Sequence, residues 1–259
     1  MRRSIPIYEE VGDDYGRIEL VDYMGSDQAI IDAARVSFAG DIQNMFSVDG
    51  TPIDPGMSWN APGRWRPEKD PKLLRYLIKN QHWSPFEHCT IKWHIVVPLF
   101  VRGQWHRHRT WSYNEVSRRY TSEDLRFYEP TAYRFQAKSN KQASDWSGLC
   151  DPHLDGATSV GSLTTVSVMQ HVIASMRLYE SMLEAGIARE QARMVLPQNM
   201  YVRFYGTVNL RNALAFIQLR EDNHAQWEIY QAAKAMREHL EHLYPEALKA
   251  WDEVQKEKR

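Results

Sequence analysis

Apolar and polar positions alternate through "RIELVDYMG" (17–25), where Ile18, Leu20 and loosely Asp22 oppose Glu19, Val21 and Tyr23. That period of two predicts a strand. The next stretch, "SDQAIIDAARVSF", shifts to helical spacing, with Ser26 or Asp27 placed to cap a short helix from Gln28. Further on, Asp70 reads as an N-cap with Pro71 at the first helical position, and "KLLRYLIKN" carries apolar residues at helical spacing. "CTIKWHIVVPLF" is rich in β-branched and aromatic residues and reads as a central strand whose regular pairing ends at Pro98. A helix is expected from about Phe100 to His108. Recurrent three- and four-residue apolar spacing predicts further helices over 160–185, 188–195, 207–219 and 224–243. Pro197 interrupts that run ahead of a short strand.

Two stretches lack such periodicity. Residues 39–71 carry five prolines and four glycines and read as a long loop or lid. The polar segment 127–157 reads as a second excursion or a strand with a long loop, which gives loop excursions at 39–70 and 121–160. The tail "WDEVQKEKR" is solvated by composition. With neither an internal repeat nor an interdomain linker in sight, residues 1–259 form one domain, a sheet with helices packed on it.

Composition narrows the classes. The 259 residues hold 32 basic and 33 acidic side chains, for a net charge of −1. Phosphate-backbone affinity needs many cations on one face, so the balance argues against a general nucleic-acid binder. Two cysteines, Cys89 and Cys150, make neither a disulfide framework nor a CxxC pair. The start "MRRSIPIYEE" has no apolar segment long enough for a signal peptide or membrane span, so a soluble cytoplasmic protein is the expectation.

The densest chemistry lies in "QWHRHRTWSYNEVSRRY" (104–120), where Arg107, Arg109, Arg118 and Arg119 surround His106, His108 and Ser117. A metal reading from His106, His108 and His224, with His82 and His88, meets no recognised zinc spacing. On a helix, His106 and His108 would also diverge by about 200°. A solvated charged face must accommodate the interleaved Trp105, Trp111, Tyr113 and Tyr120 and the amides Gln104 and Asn114. Arginine forks beside hydroxyls and amides suit phosphate and planar heteroaromatic ligands. With no P-loop and no GxGxxG segment, a nucleotide would be held by side chains from several elements. Arg193, Arg211 and Arg220, inside apolar periodic segments with Asn209 and His224, form a second candidate anion site. An RNA- or nucleotide-binding module stays open beside a small-molecule enzyme.

The motif "RHR" at 107–109, seven intervening residues and Ser117 resembles the signature of the flavin-dependent thymidylate synthases. "AARVSF" (33–38), "HWSPFEH" (82–88), "ARMVLPQNMYVRF" and "NLRNALAFIQLREDNHAQWEI" are similar to that family's other blocks, in its order. The resemblance covers most of the chain outside 39–70 and 121–160. It implies an α/β fold of the α+β type, a twisted and mainly antiparallel sheet with packed helices. It further implies a homotetramer with active sites shared between subunits, acting without nucleic acid, membrane or metal.

The implied reaction is reductive methylation of dUMP to dTMP. Methylenetetrahydrofolate donates the carbon and FAD, reduced by NADPH, carries the hydride. Residue by residue, the resemblance assigns dUMP to Gln104, Trp105, His106, Arg107, Glu115, Val116, Ser117, Arg118, Arg119, Arg193 and Arg220, with His106 read as a bystander within its run. It assigns FAD to Ser84, Arg107, His108, Arg109, Glu115, Asn209, Leu210, Arg211 and His224, with His82 near flavin and folate. Arg220 is the catalytic candidate, a permanently charged donor for negative charge developing on the uracil ring. Arg118 stands where some members have glycine, and Ala215 where an asparagine can help hold FAD. Cys89, in the predicted apolar strand, is expected to be an inert core thiol rather than a nucleophile.

Overall fold

The computed structural model describes residues 3–36, 65–117, 119, 124–137, 144–149, 154–157, 163–222 and 224–258. Residues 39–64, Arg118, Cys150 and much of 121–160 lie outside the described residues, and so do the expectations attached to them.

In chain order the strands are β1 (Ser4–Pro6), β2 (Arg17–Met24), β3 (Thr90–Pro98), β4 (Ser112–Glu115), β5 (Tyr133–Gln136), β6 (Ser144–Leu149), β7 (Leu154–Ala157), β8 (Leu163–Val166) and β9 (Tyr201–Asn209). The helices are α1 (Asp27–Arg35), α2 (Asp70–Lys79), α3 (Ser84–Glu87), α4 (Leu99–Trp105), α5 (Val168–Glu184), α6 (Arg189–Ala192), α7 (Leu210–Arg220), α8 (Trp227–Leu243) and α9 (Pro245–Lys258). One five-stranded sheet has the order β1-β2-β3-β9-β4, and all its pairings are antiparallel. β5–β6 and β7–β8 are separate two-stranded pairs. The mixed helix and antiparallel-sheet architecture agrees with the expected fold class.

β3 is central because its apolar run buries both faces towards its end. It pairs along its length with β9, from Thr90 opposite Asn209 to Pro98 opposite Tyr201. An aromatic cluster fills the space between sheet and helices: Trp105 lies 4.7 Å from Phe216 and Trp93 stacks 5.9 Å from Trp111. The Trp93 indole donates to His239 Nδ1 on α8 at 3.2 Å, so this buried polar group is satisfied. Gly25, at φ 97°, leads β2 into α1. A Cβ there would stand 2.5 Å from Cys89 Sγ, so only glycine meets both the backbone and the packing demand.

Helix ends follow the capping chemistry with two changes. Ser26 caps α1, accepting from Ala29 N at 3.2 Å. Asp27 is the first residue of that helix, and its carboxylate reaches across to α9, accepting from Glu246 N at 3.0 Å and Ala247 N at 2.9 Å. Asp70 likewise lies inside the first turn of α2 rather than capping it, accepting from Arg66 N at 2.8 Å and pairing with Arg35. The larger correction concerns the tail. Rather than lying in solvent, residues 245–258 form α9, which buries Leu248, Trp251 and Val254 and packs on α2. Its exposed face pairs Glu253 with Arg75 at 3.6 Å and Glu257 with Lys79 at 3.4 Å. The helix expected over 160–185 begins at Val168, after β8, and the one expected at 207 begins at Leu210, because β9 runs nine residues to Asn209.

Candidate active site

α4 stops at Trp105, short of the expected His108. Residues 106–111 turn, and "SYNE" becomes edge strand β4 against β9. The turn is pinned by the Tyr113 hydroxyl, 3.1 Å from the Trp105 carbonyl and 3.0 Å from that of His108. It sends the two histidines to different partners. His106 stacks on Tyr113, ring centres 4.3 Å apart, whereas the His108 ring packs on Phe216 at 4.7 Å. Among the described residues no three His, Cys, Asp or Glu side chains gather as a metal-binding group.

Three groupings of the sequence candidates emerge. The first is a cavity of about 720 Å³ between the end of β4, α4, α6 and the segment entering β9. Glu115, Val116, Ser117, Arg119 and Arg193 all line it, although Arg193 lies far from the rest in sequence. Arg119 N donates to Ser117 Oγ at 3.3 Å, folding the loop so that hydroxyl and backbone meet. Two further wall residues escaped the sequence reading. Arg102 donates from Nε to Glu115 at 2.6 Å, and Glu190 accepts through its backbone carbonyl from Arg193 Nε at 3.3 Å. Arg102 was a lone cation in an apolar helix, and its pairing with β4 depends on a turn that periodicity does not show.

The second grouping centres on Arg220, at the C-terminal end of α7. Its Nε donates to His108 Nε2 at 3.1 Å and a terminal nitrogen donates to the Gln104 carbonyl at 3.1 Å. Burial first, and then the Arg220 charge, push the His108 imidazole down to about 4. The ring is therefore neutral near pH 7, and because Nε2 accepts, its proton rests on Nδ1. Arg220 is itself lowered from the ordinary guanidinium value by burial. Gln104 continues the chain of bonds, its Nε2 donating to Gln226 Oε1 and Gln226 Nε2 donating to the buried Glu228 at 2.8 Å. Gln226 and Glu228 were also missed. They sat inside "HAQWEI", where polar residues alternating with apolar ones gave no separate signal.

The third grouping lies where α3 meets α7. Asn209 ends β9 and caps α7, accepting from Asn212 N at 3.0 Å. Arg211, in the first turn, pairs with Glu87 of α3 at 2.5 Å, on the short helix that Ser84 begins. His82 is exposed just before it, edge-on to Tyr76 at 5.8 Å. His224 is exposed and 2.7 Å from Asp222. Arg107 and Arg109 are exposed on the turn after α4. Two candidates lie inward: the Trp105 indole and the Leu210 side chain are buried in the core. What these two offer outward is backbone, and Leu210 N already donates to the Cys89 carbonyl at 2.8 Å.

Cys89 precedes β3 as a buried free thiol and is not among the residues lining the cavity. Burial pushes it up to about 11, so it is not a thiolate near neutral pH.

The family model described as "Thymidylate synthase complementing protein" matches residues 19–246. A flavin-dependent thymidylate synthase of Thermus thermophilus is 40% identical over 240 residues, 93% of this chain and 77% of that protein. One from Thermotoga neapolitana is 39% identical over 224 residues, 86% and 84% of the two chains. Among solved structures, the UMP/dUMP methylase PolB of Streptomyces cacaoi bound with 5-Br dUMP superposes with TM-score 0.70 and 31% identity. That match covers 91% of this chain and 94% of the other. Family model and relatives agree, and the chain belongs to the thymidylate synthase complementing protein family, that of the flavin-dependent thymidylate synthases.

Proposed function

We propose that the protein methylates dUMP to dTMP, taking the carbon from methylenetetrahydrofolate and the hydride from FAD reduced by NADPH. The observation that carries this reading is the cavity that gathers Ser117, Arg119 and Arg193 together with the Arg102–Glu115 pair. Two guanidiniums and a hydroxyl suit a phosphate monoester, since forked charge-assisted bonds engage its oxygens. The carboxylates of Glu115 and Glu190 on the same walls disfavour a long polyanion, which argues for a mononucleotide rather than an RNA strand.

Arg220 is the residue for the base. Two of its donors are held by His108 and Gln104, which fixes the guanidinium plane and leaves the remaining N–H groups for a ligand oxygen. A preoriented cation there stabilises negative charge on the pyrimidine as C5 becomes nucleophilic. Neutral His108 serves as an acceptor without adding a second positive charge.

The exposed guanidiniums of Arg107, Arg109 and Arg211, with Ser84 and the Asn209 cap, fit a diphosphate-bearing cofactor such as FAD. When bound, the flavin supplies the redox chemistry. The three groupings would be completed by neighbouring copies in a cytoplasmic homotetramer. Met169, Ile173 and Leu178 support that assembly as exposed apolar residues on α5. Among the described residues no helix is long and apolar enough to cross a membrane.

The test is tritium release from 5-labelled dUMP with FAD, NADPH and methylenetetrahydrofolate, alongside light scattering for the tetramer. Release dependent on all three is expected. Absence of release, together with tight RNA binding, would replace this reading with a nucleic-acid module.

A further inference from the structure

Every bond in the chain running inward from Arg220 has a defined polarity. Glu228, at 4% exposure, takes the Tyr128 hydroxyl at 3.2 Å and the Arg134 guanidinium at 2.6 Å on Oε1, and Gln226 Nε2 at 2.8 Å on Oε2. A carboxylate paired to arginine only accepts, so Gln226 is forced to present its NH₂ inward and its oxygen outward. Gln104 must then give its own NH₂ to that oxygen. The Gln104 side-chain oxygen Oε1, distinct from the backbone carbonyl that Arg220 engages, is left over, and among the described residues no hydrogen bond reaches it.

From this we propose that Glu228 and Gln226 are positioning residues that set which end of the Gln104 carboxamide meets the pyrimidine, so that it offers an acceptor. The inference rests on the reading above that Gln104 and Arg220 mark the base end of the dUMP site. An acceptor matches the imide N3–H of a uracil ring. It opposes the bare N3 of a cytosine ring, so the buried carboxylate selects uracil through two amides without touching it.

The polarity can be reversed one atom at a time. In Glu228→Gln, Arg134 can only donate, so the new amide keeps its oxygen toward Arg134 and Tyr128 and turns its NH₂ to Gln226. Gln226 then flips, Gln104 flips after it, and an N–H faces the pyrimidine. The double variant Gln226→Glu with Glu228→Gln moves the carboxylate one step outward, where it accepts from both neighbours and restores the Gln104 oxygen.

The experiment is calorimetric titration of dUMP and dCMP into the flavin-loaded enzyme, reading the ratio of their affinities. Wild type should prefer dUMP by at least ~100-fold, as expected of a site built around one hydrogen-bonding group. Glu228→Gln should cut that ratio by ~10-fold or more, and the double variant should bring it back to within a few fold of wild type. A folded, flavin-bound Glu228→Gln protein with the wild-type ratio overturns the proposal. So does a double variant no better than the single one, since a merely structural defect would not be reversed by a second substitution. If Glu228→Gln does not fold, Gln226→Leu carries the test. It leaves Glu228 paired with Arg134 and Tyr128 but unties Gln104, and the ratio should fall several-fold; an unchanged ratio again overturns the relay. Wild-type enzyme that binds no dUMP would instead remove the functional reading beneath it, before any variant is compared.

Discussion

Replacing His108 with glutamine keeps an acceptor for Arg220 Nε and removes a group that titrates. In the folded protein the ring is held down to about 4 from its ordinary 6.5, chiefly by burial and then by Arg220. The folded ring binds its proton less readily than the unfolded one, so unfolding takes up a proton between those two values and acid favours the unfolded chain there. The ring's share of stability is fully present above pH ~6.5 and is lost as pH falls toward about 4. Each pH unit for one proton corresponds to about 1.4 kcal/mol, so the full interval sets a ceiling of about 3 kcal/mol. The ring is partly exposed, and solvent screening reduces the expected loss to roughly 1–2 kcal/mol. Urea unfolding of wild type and His108→Gln at about pH 7.5 and about pH 4.5 reads this directly, because carboxylates common to both proteins cancel in the difference. The stability advantage of wild type over the variant should shrink on acidification by that amount. A difference that stays constant with pH would show that His108 is not held neutral by its surroundings.

Three further outcomes are expected. Asp27→Ala removes two N–H acceptors from the start of α9 and should lower the urea midpoint by the equivalent of ~1–2 kcal/mol at unchanged slope; an unmoved midpoint would mean that water replaces the cap. Cys89→Ala should retain substantial tritium release, and the native thiol should resist a disulfide-exchange reagent until urea exposes it. Complete loss of chemistry with fold and flavin binding intact would restore a cysteine mechanism. Arg193→Ala should raise the dUMP KM by ~10- to 100-fold while flavin absorbance at saturation is unchanged, and an equal loss of flavin would place Arg193 at the cofactor instead.

The elements legible in the chain were those whose signal is local. β2 and β3 announce themselves by alternation and β-branched content, and α1 by a serine ahead of an apolar period. β4 carries no such pattern in "SYNE", because an edge strand is defined by the β9 backbone beside it. α9 was hidden by its charged last residues, although Ala247, Leu248, Ala250, Trp251 and Val254 lie at helical spacing once the window starts at Pro245. In the site, the clustered arginines and Ser117 stood out by composition, the resemblance assigned them ligands, and the cavity brings Ser117, Arg119 and Arg193 together. The Arg102–Glu115 pair and the Gln226–Glu228 relay were not legible, since each depends on contacts between residues many positions apart or across a turn.

The strand order β1-β2-β3-β9-β4 also governs when the protein can take shape. β9 is inserted between β3 and β4, yet it is synthesised more than 80 residues after β4 ends. Until it arrives, the β3 edge is an unpaired apolar ladder, and β4 with Glu115 has nothing to lie against. The cavity lined by Ser117 and Arg193 is thus a late product of translation, and closing so long a loop adds an entropic cost before the sheet is complete. A nascent chain arrested before residue 200 should expose that ladder, an edge of the kind that favours aggregation.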